Sequence, residues 1–148
     1  MPTQEFVMQG QTASGTTEVL NFGSKHGYAF RLIGFHLWGS TALGTGKFEG
    51  YGTITAGKTA VTPTDPDFSN QGLIGVSSLQ DHQDDAYGPT EGFVINDTYL
   101  ITQNIILMVQ DTGGSDYPVN WQCRFKPVKM SETEMANANL RQFHVFDE

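Results

Sequence analysis

Apolar residues recur along this chain mostly at every second position, in short runs separated by clusters of Gly, Pro, Asn and Asp. A period of two sends successive side chains to opposite faces of an extended strand, so the pattern predicts strands and turns. The first runs are Glu5–Gln9 and Thr16–Phe22, split by the turn-rich Gly10–Gly15. Tyr28–Trp38 is the strongest run, with Tyr28, Phe30 and Leu32 on one face and Ala29, Ile33, Phe35 and Leu37 on the other. Apolar residues on both faces predict a central strand covered on two sides. Arg31 and His36 interrupt it and need partners if buried, which makes His36 a hydrogen-bonded core or interface residue. Lys47–Thr55 sets Phe48 and Ile54 opposite Tyr51, and its Gly50 and Gly52 suggest a bend or bulge.

Two long irregular stretches follow, Ala56–Gly72 with Pro63 and Pro66, and the acidic Gln80–Gly92, with a short strand at Leu73–Leu79 between them. Phe93–Ile95 and Tyr99–Thr102 flank a turn at Asn96-Asp97-Thr98. Asn104–Gln110 and Val119–Val128 read as the clearest hairpin, joined by the turn formers of Asp111–Asp116. On its second arm Val119, Trp121, Cys123 and Phe125 alternate with Asn120, Gln122, Arg124 and Lys126, one face buried and one wet. Ser131-Glu132-Thr133-Glu134 then fits a capping box with Ser131 as N-cap, predicting a helix over about residues 131–142 and an extended tail to Glu148. The sum is about eight strands and one short C-terminal helix, which predicts an all-β antiparallel jelly-roll-like sandwich or barrel as a single domain over residues 1–148. An immunoglobulin-like sandwich is the alternative, but its Cys…Trp…Cys spacing is missing.

Composition changes the picture mainly by exclusion. The formal net charge is −8 and only 16% of residues are charged. Such a balance argues against naked nucleic acid, whose binding depends on Lys and Arg neutralising phosphates, and against anionic lipid surfaces. The single cysteine, Cys123, rules out an internal disulfide and reads as a small buried hydrophobe. Met1–Gly10 has neither the basic start nor the apolar run of a signal peptide, so the chain is expected to be intracellular when made. Its longest apolar stretch, Ile105–Val109, is too short to cross a bilayer.

Candidate chemistry is sparse. Gly52-Thr53-Ile54-Thr55-Ala56-Gly57-Lys58-Thr59 matches the phosphate-loop pattern G-x-x-x-x-G-K-[ST]. The chemistry of that loop needs a helix N-terminus directly after it, and Pro63 and Pro66 oppose one. Asp81, Asp84 and Asp85 could offer oxygen ligands to calcium, with Asp65 and Asp67 nearby, but the spacing is not that of an EF-hand. His26, His36, His82 and His144 form no H-x-H or H-x-x-x-H pair, so no zinc signature is present. No G-x-S-x-G elbow occurs, and Glu49 and Glu91 are merely possible paired carboxylates. Asn96-Asp97-Thr98 is formally a glycosylation sequon, unused without a secretory route. No cofactor is expected. Trp38, Tyr51, Tyr87, Tyr99 and Tyr117 could form a sugar-stacking platform, though core or interface packing is the simpler use of such residues. Trp38, Tyr87, Met135, Leu140 and Phe143 are the interface candidates, because the C-terminal helix offers too little apolar surface to stand alone.

The Gly/Thr-rich strands with Tyr28–Trp38, the long loops Ala56–Gly72 and Gln80–Gly92, the arm Asn120-Trp121-Gln122-Cys123-Arg124-Phe125 and the helical end Ser131–Arg141 together resemble the jelly-roll virion proteins of icosahedral viruses that infect microbes. The resemblance spans most of the chain, lies in architecture and texture, and carries no site residue with it. It implies a capsid or capsid-decorating subunit made in the host cytoplasm and located in the virion. Such a subunit acts by assembly with copies of itself, as a trimer or pentamer, and with other virion proteins. Capsid proteins that package genome directly often carry a basic arm, whereas Met1–Gly15 contains no Lys or Arg. The inner face of such a shell is therefore expected not to touch the genome. A carbohydrate-binding attachment module, using exposed aromatics and calcium at Asp81–Asp85, is the alternative reading. An enzyme is not expected, since neither a nucleophile–base pair nor a metal triad is recognisable.

Overall fold

The computed structural model describes residues 4–22, 27–41, 46–57, 59–81, 89–131, 133–134, 136–138 and 140. Among them the chain forms eight strands: β1 (Phe6–Thr12), β2 (Thr16–Leu20), β3 (Tyr28–Gly39), β4 (Phe48–Thr55), β5 (Leu73–Asp81), β6 (Thr90–Ile95), β7 (Ile105–Asp111) and β8 (Val119–Lys129). All pairings are antiparallel, in a three-stranded sheet ordered β1-β8-β3 and a five-stranded sheet ordered β2-β7-β4-β5-β6. The pairs β1–β8, β2–β7 and β4–β5 nest about the middle of the chain. Nesting of this kind arises when one long antiparallel hairpin is folded over and wrapped into two facing sheets, the jelly-roll arrangement. The remaining nested pair, β3 with β6, is made indirectly. β6 pairs with β5, and the chain beyond it returns to β3 at Ile101, where Phe30 N–H donates to Ile101 O (2.9 Å) and Ile101 N–H to Phe30 O (2.8 Å). The result is a sandwich, not a closed barrel.

Three expectations from the sequence do not hold in the fold. β7 and β8 do not form a hairpin: β7 lies between β2 and β4, and β8 lies between β1 and β3 in the opposite sheet. Alternation tells a strand which face to bury, but it does not choose the strand's partner, and a turn-rich loop can cross between sheets as readily as close a hairpin. The run Tyr28–Trp38 is likewise not a central strand with two apolar faces. β3 is an edge strand, and its register against β8 shifts between Leu32 and Gly34. One extra residue at this bulge reverses the side-chain phase. Phe30 and Leu32 before it and Phe35 and Leu37 after it all enter the same core, while His36 and Trp38 face solvent. Tyr99–Thr102 contributes the single bridge at Ile101 in place of a strand, with Tyr99 in the core.

Between the sheets lies one main core in which Leu32, Phe35, Phe48, Ile54, Leu107 and Phe125 are almost wholly buried. Phe6, Phe22, Phe30 and Phe125 close one part of it as an aromatic cluster with ring centroids 4.9–6.4 Å apart. Gly50 and Gly52 make room rather than a bend. A Cβ on Gly52 would stand 2.9 Å from Phe35 Cζ. Pro127 is tolerated in β8 because the pairing with β1 already stops at Phe125, leaving only β3 beside it.

Residues 133–134, 136–138 and 140 are helical, and Glu134 N–H donates to Ser131 Oγ at 3.2 Å, the Ser131 half of the expected cap. Ala138 packs with Ala29 and Met130 in a second small cluster, bordered by Leu100 and Val128. The helix therefore docks on its own domain, over the outer face at the start of β3. Residues 141–148, with the end of the expected helix and the tail, lie outside the described residues.

Candidate functional site

The outer face of the three-stranded sheet carries a grid of polar side chains set by strand register. Gln9, Gln122 and His36 form one cross-strand row, and Gln11, Asn120 and Trp38 form the next. Within the rows Gln122 Nε2 donates to Gln9 Oε1 (2.9 Å) and Gln11 Nε2 to Asn120 Oδ1 (3.0 Å). Asn120 Nδ2 also donates to Gly39 O at 3.1 Å, tying the second row to the end of β3. Glu91 reaches in from β6, its Oε1 lying 2.6 Å from His36 Nδ1, and the Phe93 ring stands edge-on to the imidazole at 4.9 Å. Trp38 leaves 48% of its surface to solvent beside them. A broad open groove of about 580 Å³ runs over these residues apart from Gln11 and Phe93, with Gly10, Leu37 and Trp121 in its lining. Trp121 Nε1 donates to Thr12 Oγ1 at 2.9 Å, both residues being buried, so the indole beneath Gly10 is fixed from below.

A second surface lies at the open edge of the five-stranded sheet. β6 is exposed along most of its length, with Phe93 at 45% and Val94 at 58% exposure. Phe68, from the β4–β5 connection, is 61% exposed and borders a shallow hollow of about 190 Å³ with Val94, Leu73 and Ile95. Natural sheet edges are usually blunted by charge, proline or a bulge, and of these Thr90–Ile95 carries only the charge of Glu91.

A third cluster is structural. Asp111, at the end of β7, is buried, and its Oδ1 accepts N–H bonds from Glu49 (3.0 Å) and Gly113 (2.9 Å) while Oδ2 accepts one from Tyr117 (2.9 Å). Asp111 N–H in turn donates to Ser14 Oγ at 2.9 Å. One carboxylate thus pins the crossing to β8 against β4 and the β1–β2 turn. The sequence signals Asp111 only as a turn former.

The residues singled out by sequence are dispersed. Of these aromatics that are described, Trp38 alone faces the groove. Tyr99 is in the core, Tyr117 packs against it, and Tyr51 accepts a hydrogen bond from Gln80 on the other sheet (2.9 Å). His36 is hydrogen-bonded as expected, but it is 49% exposed at its side chain, which removes the core half of the core-or-interface expectation. Glu49 and Glu91 sit in adjoining registers across β5, and adjoining registers face opposite sides of the sheet, so they cannot work as a pair. Asp81 is buried at the end of β5; its calcium partners Asp84 and Asp85, and the interface candidates Tyr87, Met135 and Phe143, lie outside the described residues. Leu140 is 56% exposed on the helix. Among the described residues no three His, Cys, Asp or Glu side chains come together as a metal site. Asp67 is occupied locally: the Ser69 hydroxyl (2.7 Å) and N–H (2.9 Å) both donate to it and hold its carboxyl below the usual range.

The phosphate-loop match is a coincidence of letters. Gly52–Thr55 are ladder residues of β4, paired to β5 and β7, so their amides are not gathered around an anion. Thr53 Oγ1 donates to Val61 O at 2.6 Å, and Val61 N–H donates to Thr55 Oγ1 at 3.3 Å, fastening the following loop to the strand. Cys123 is fully buried in the core, and burial pushes its thiol pKa far up, keeping it protonated and unreactive. No helix among the described residues is long and apolar enough to cross a membrane. Among known proteins, no family model matches the chain and no curated protein matches it significantly.

Proposed function

We propose that this chain is a structural subunit of a virion shell, a capsid or capsid-decorating protein that acts by packing against copies of itself and against other virion proteins, without turnover. The observation that carries the reading is the apolar edge at β6, where Phe68 and Val94 lie side by side on one face and, among the described residues, nothing covers them. Full burial of a Phe or Val side chain contributes roughly 1.5–3 kcal/mol, so covering Phe68 and Val94, each more than half exposed, supplies about 2–3 kcal/mol per copy toward association. An edge strand also offers its free N–H and C=O groups to a neighbouring chain. The jelly-roll topology is compatible with the role but also serves lectins and enzymes, so it supports the reading only at the level of architecture. The net charge of −8 fits a shell whose genome lies behind another layer, and a closed trimer or pentamer would bury the edge on every copy.

The test is the mass of the purified protein by light scattering across a range of concentrations, with negative-stain images of the same samples. Rings, lattices or shells are expected. Val94→Glu and Phe68→Asp should shift the protein to monomer with little change in melting temperature, because both side chains are exposed. A wild-type protein that stays monomeric at every concentration, alone and with other virion proteins, overturns the proposal.

A further inference from the structure

The groove over the three-stranded sheet has a chemistry that assembly does not require. We propose that it binds a neutral oligosaccharide, with Trp38 as the stacking platform and the Gln/Asn rows and Glu91 as hydroxyl partners.

Trp38 is the starting point. An indole left 48% exposed on an otherwise polar face retains a large apolar surface that water solvates poorly. The C–H-rich face of a pyranose ring fits such a plane, while its rim of hydroxyls needs donors and acceptors around that plane. The two amide rows supply both. Each carboxamide carries two donor hydrogens and an acceptor oxygen, and the bonds Gln122–Gln9 and Gln11–Asn120 use only part of that capacity. The rows also hold the side chains in place, which lowers the ordering cost of binding. Glu91, held by His36 at 2.6 Å, adds a strong acceptor beside the platform.

Charge selects among ligands. The carboxylate of Glu91 lines the groove, Arg124 in the next row is engaged with Glu5 at 4.0 Å, and the chain carries a net charge of −8. Sialylated or sulfated sugars and nucleotides would meet repulsion, whereas neutral hexoses and N-acetylhexosamines would not. The open groove of about 580 Å³ suits a stretch of chain rather than an enclosed small molecule.

The experiment is a titration of the full chain with neutral gluco-, galacto-, manno- and chito-oligosaccharides, read by tryptophan fluorescence and by NMR of the side-chain amides. Because Trp121 is buried and Trp38 is exposed, the fluorescence change should come from Trp38 and vanish in Trp38→Ala. Binding should weaken at least about tenfold in that variant, the size expected when a stacking platform is removed, and by less in Trp38→Phe. Asn120→Ala and Glu91→Gln should each weaken it, and the amide signals of Gln9, Gln11, Asn120 and Gln122 should shift on binding. Val94→Glu should leave the titration unchanged, which separates this proposal from the one on assembly. Absence of binding by wild type to every neutral probe, undiminished binding by Trp38→Ala, or a preference for sialylated probes would each overturn it.

Discussion

Asp111 gathers three backbone N–H groups on one side chain, and replacing it gives a graded prediction. Asp111→Ala strands three N–H groups, those of Glu49, Gly113 and Tyr117, in a part-buried corner. A hydrogen bond to a charged group is worth about 1.5–3 kcal/mol net when well buried, and nearer 1 kcal/mol where water can replace it. Three such losses amount to about 3 kcal/mol. Asp111→Asn should cost less. Its carbonyl can still serve Glu49 and Gly113, and only the Tyr117 N–H then faces an NH₂ group that cannot accept. The reverse orientation loses two bonds, so the expected cost is about 1–1.5 kcal/mol. Equilibrium urea unfolding reads both values: with a slope of about 1–3 kcal/mol/M, the alanine variant's midpoint should fall by about 1–3 M. The slope itself should stay constant if only the native state is affected. An alanine variant within about 0.5 kcal/mol of wild type, or an asparagine variant as damaged as alanine, would refute the idea that this carboxylate pins the crossing between the sheets.

Other outcomes follow from the same geometry. Thr12→Val keeps the shape but removes the acceptor of the buried Trp121 N–H; it should cost about 1–3 kcal/mol in urea unfolding and alter the near-ultraviolet circular dichroism of the indole. Gly52→Ala places a methyl 2.9 Å from Phe35 Cζ and should destabilise by about 1–3 kcal/mol, a packing penalty that a phosphate loop at this position would not predict. Cys123 should resist a thiol reagent in the native protein at mildly alkaline pH and react fully in denaturant. Its thiol is held protonated in the fold, while in the unfolded chain it ionises near pH 8.5. Stability should therefore decline as pH rises above about 8.5, and a Cys123→Ala variant should lose that part of the decline.

What the sequence determined by itself was local: where most strands run, which face a regular strand such as β8 buries, and where the chain turns. The alternation of Val119, Trp121, Cys123 and Phe125 with Asn120, Gln122, Arg124 and Lys126 places the first set in the core and the second on the outer face, as observed. Ser131 caps the helix, and Asn96 organises its turn by accepting from the Thr98 N–H (3.2 Å) and hydroxyl (2.7 Å). These features depend on neighbours a few residues apart, so short-range chemistry suffices to read them. Partner choice was beyond it. β7 and β8 have the pattern and the loop of a hairpin, yet the fold gives β8 to β3 and to β1, the latter more than a hundred residues away along the chain. The groove shows the same division. Asn120 and Gln122 were visible only as part of a wet face, Gln11 only as part of a turn, and Glu91 only as a possible partner of Glu49. Register placed them around Trp38, and the bulge at Ile33 turned Trp38 and His36 outward by adding one residue to a period of two. A periodic signal cannot report such a slip from within, because residues on either side remain apolar at alternate positions. Only the opposing strand and the core behind it decide which phase is buried.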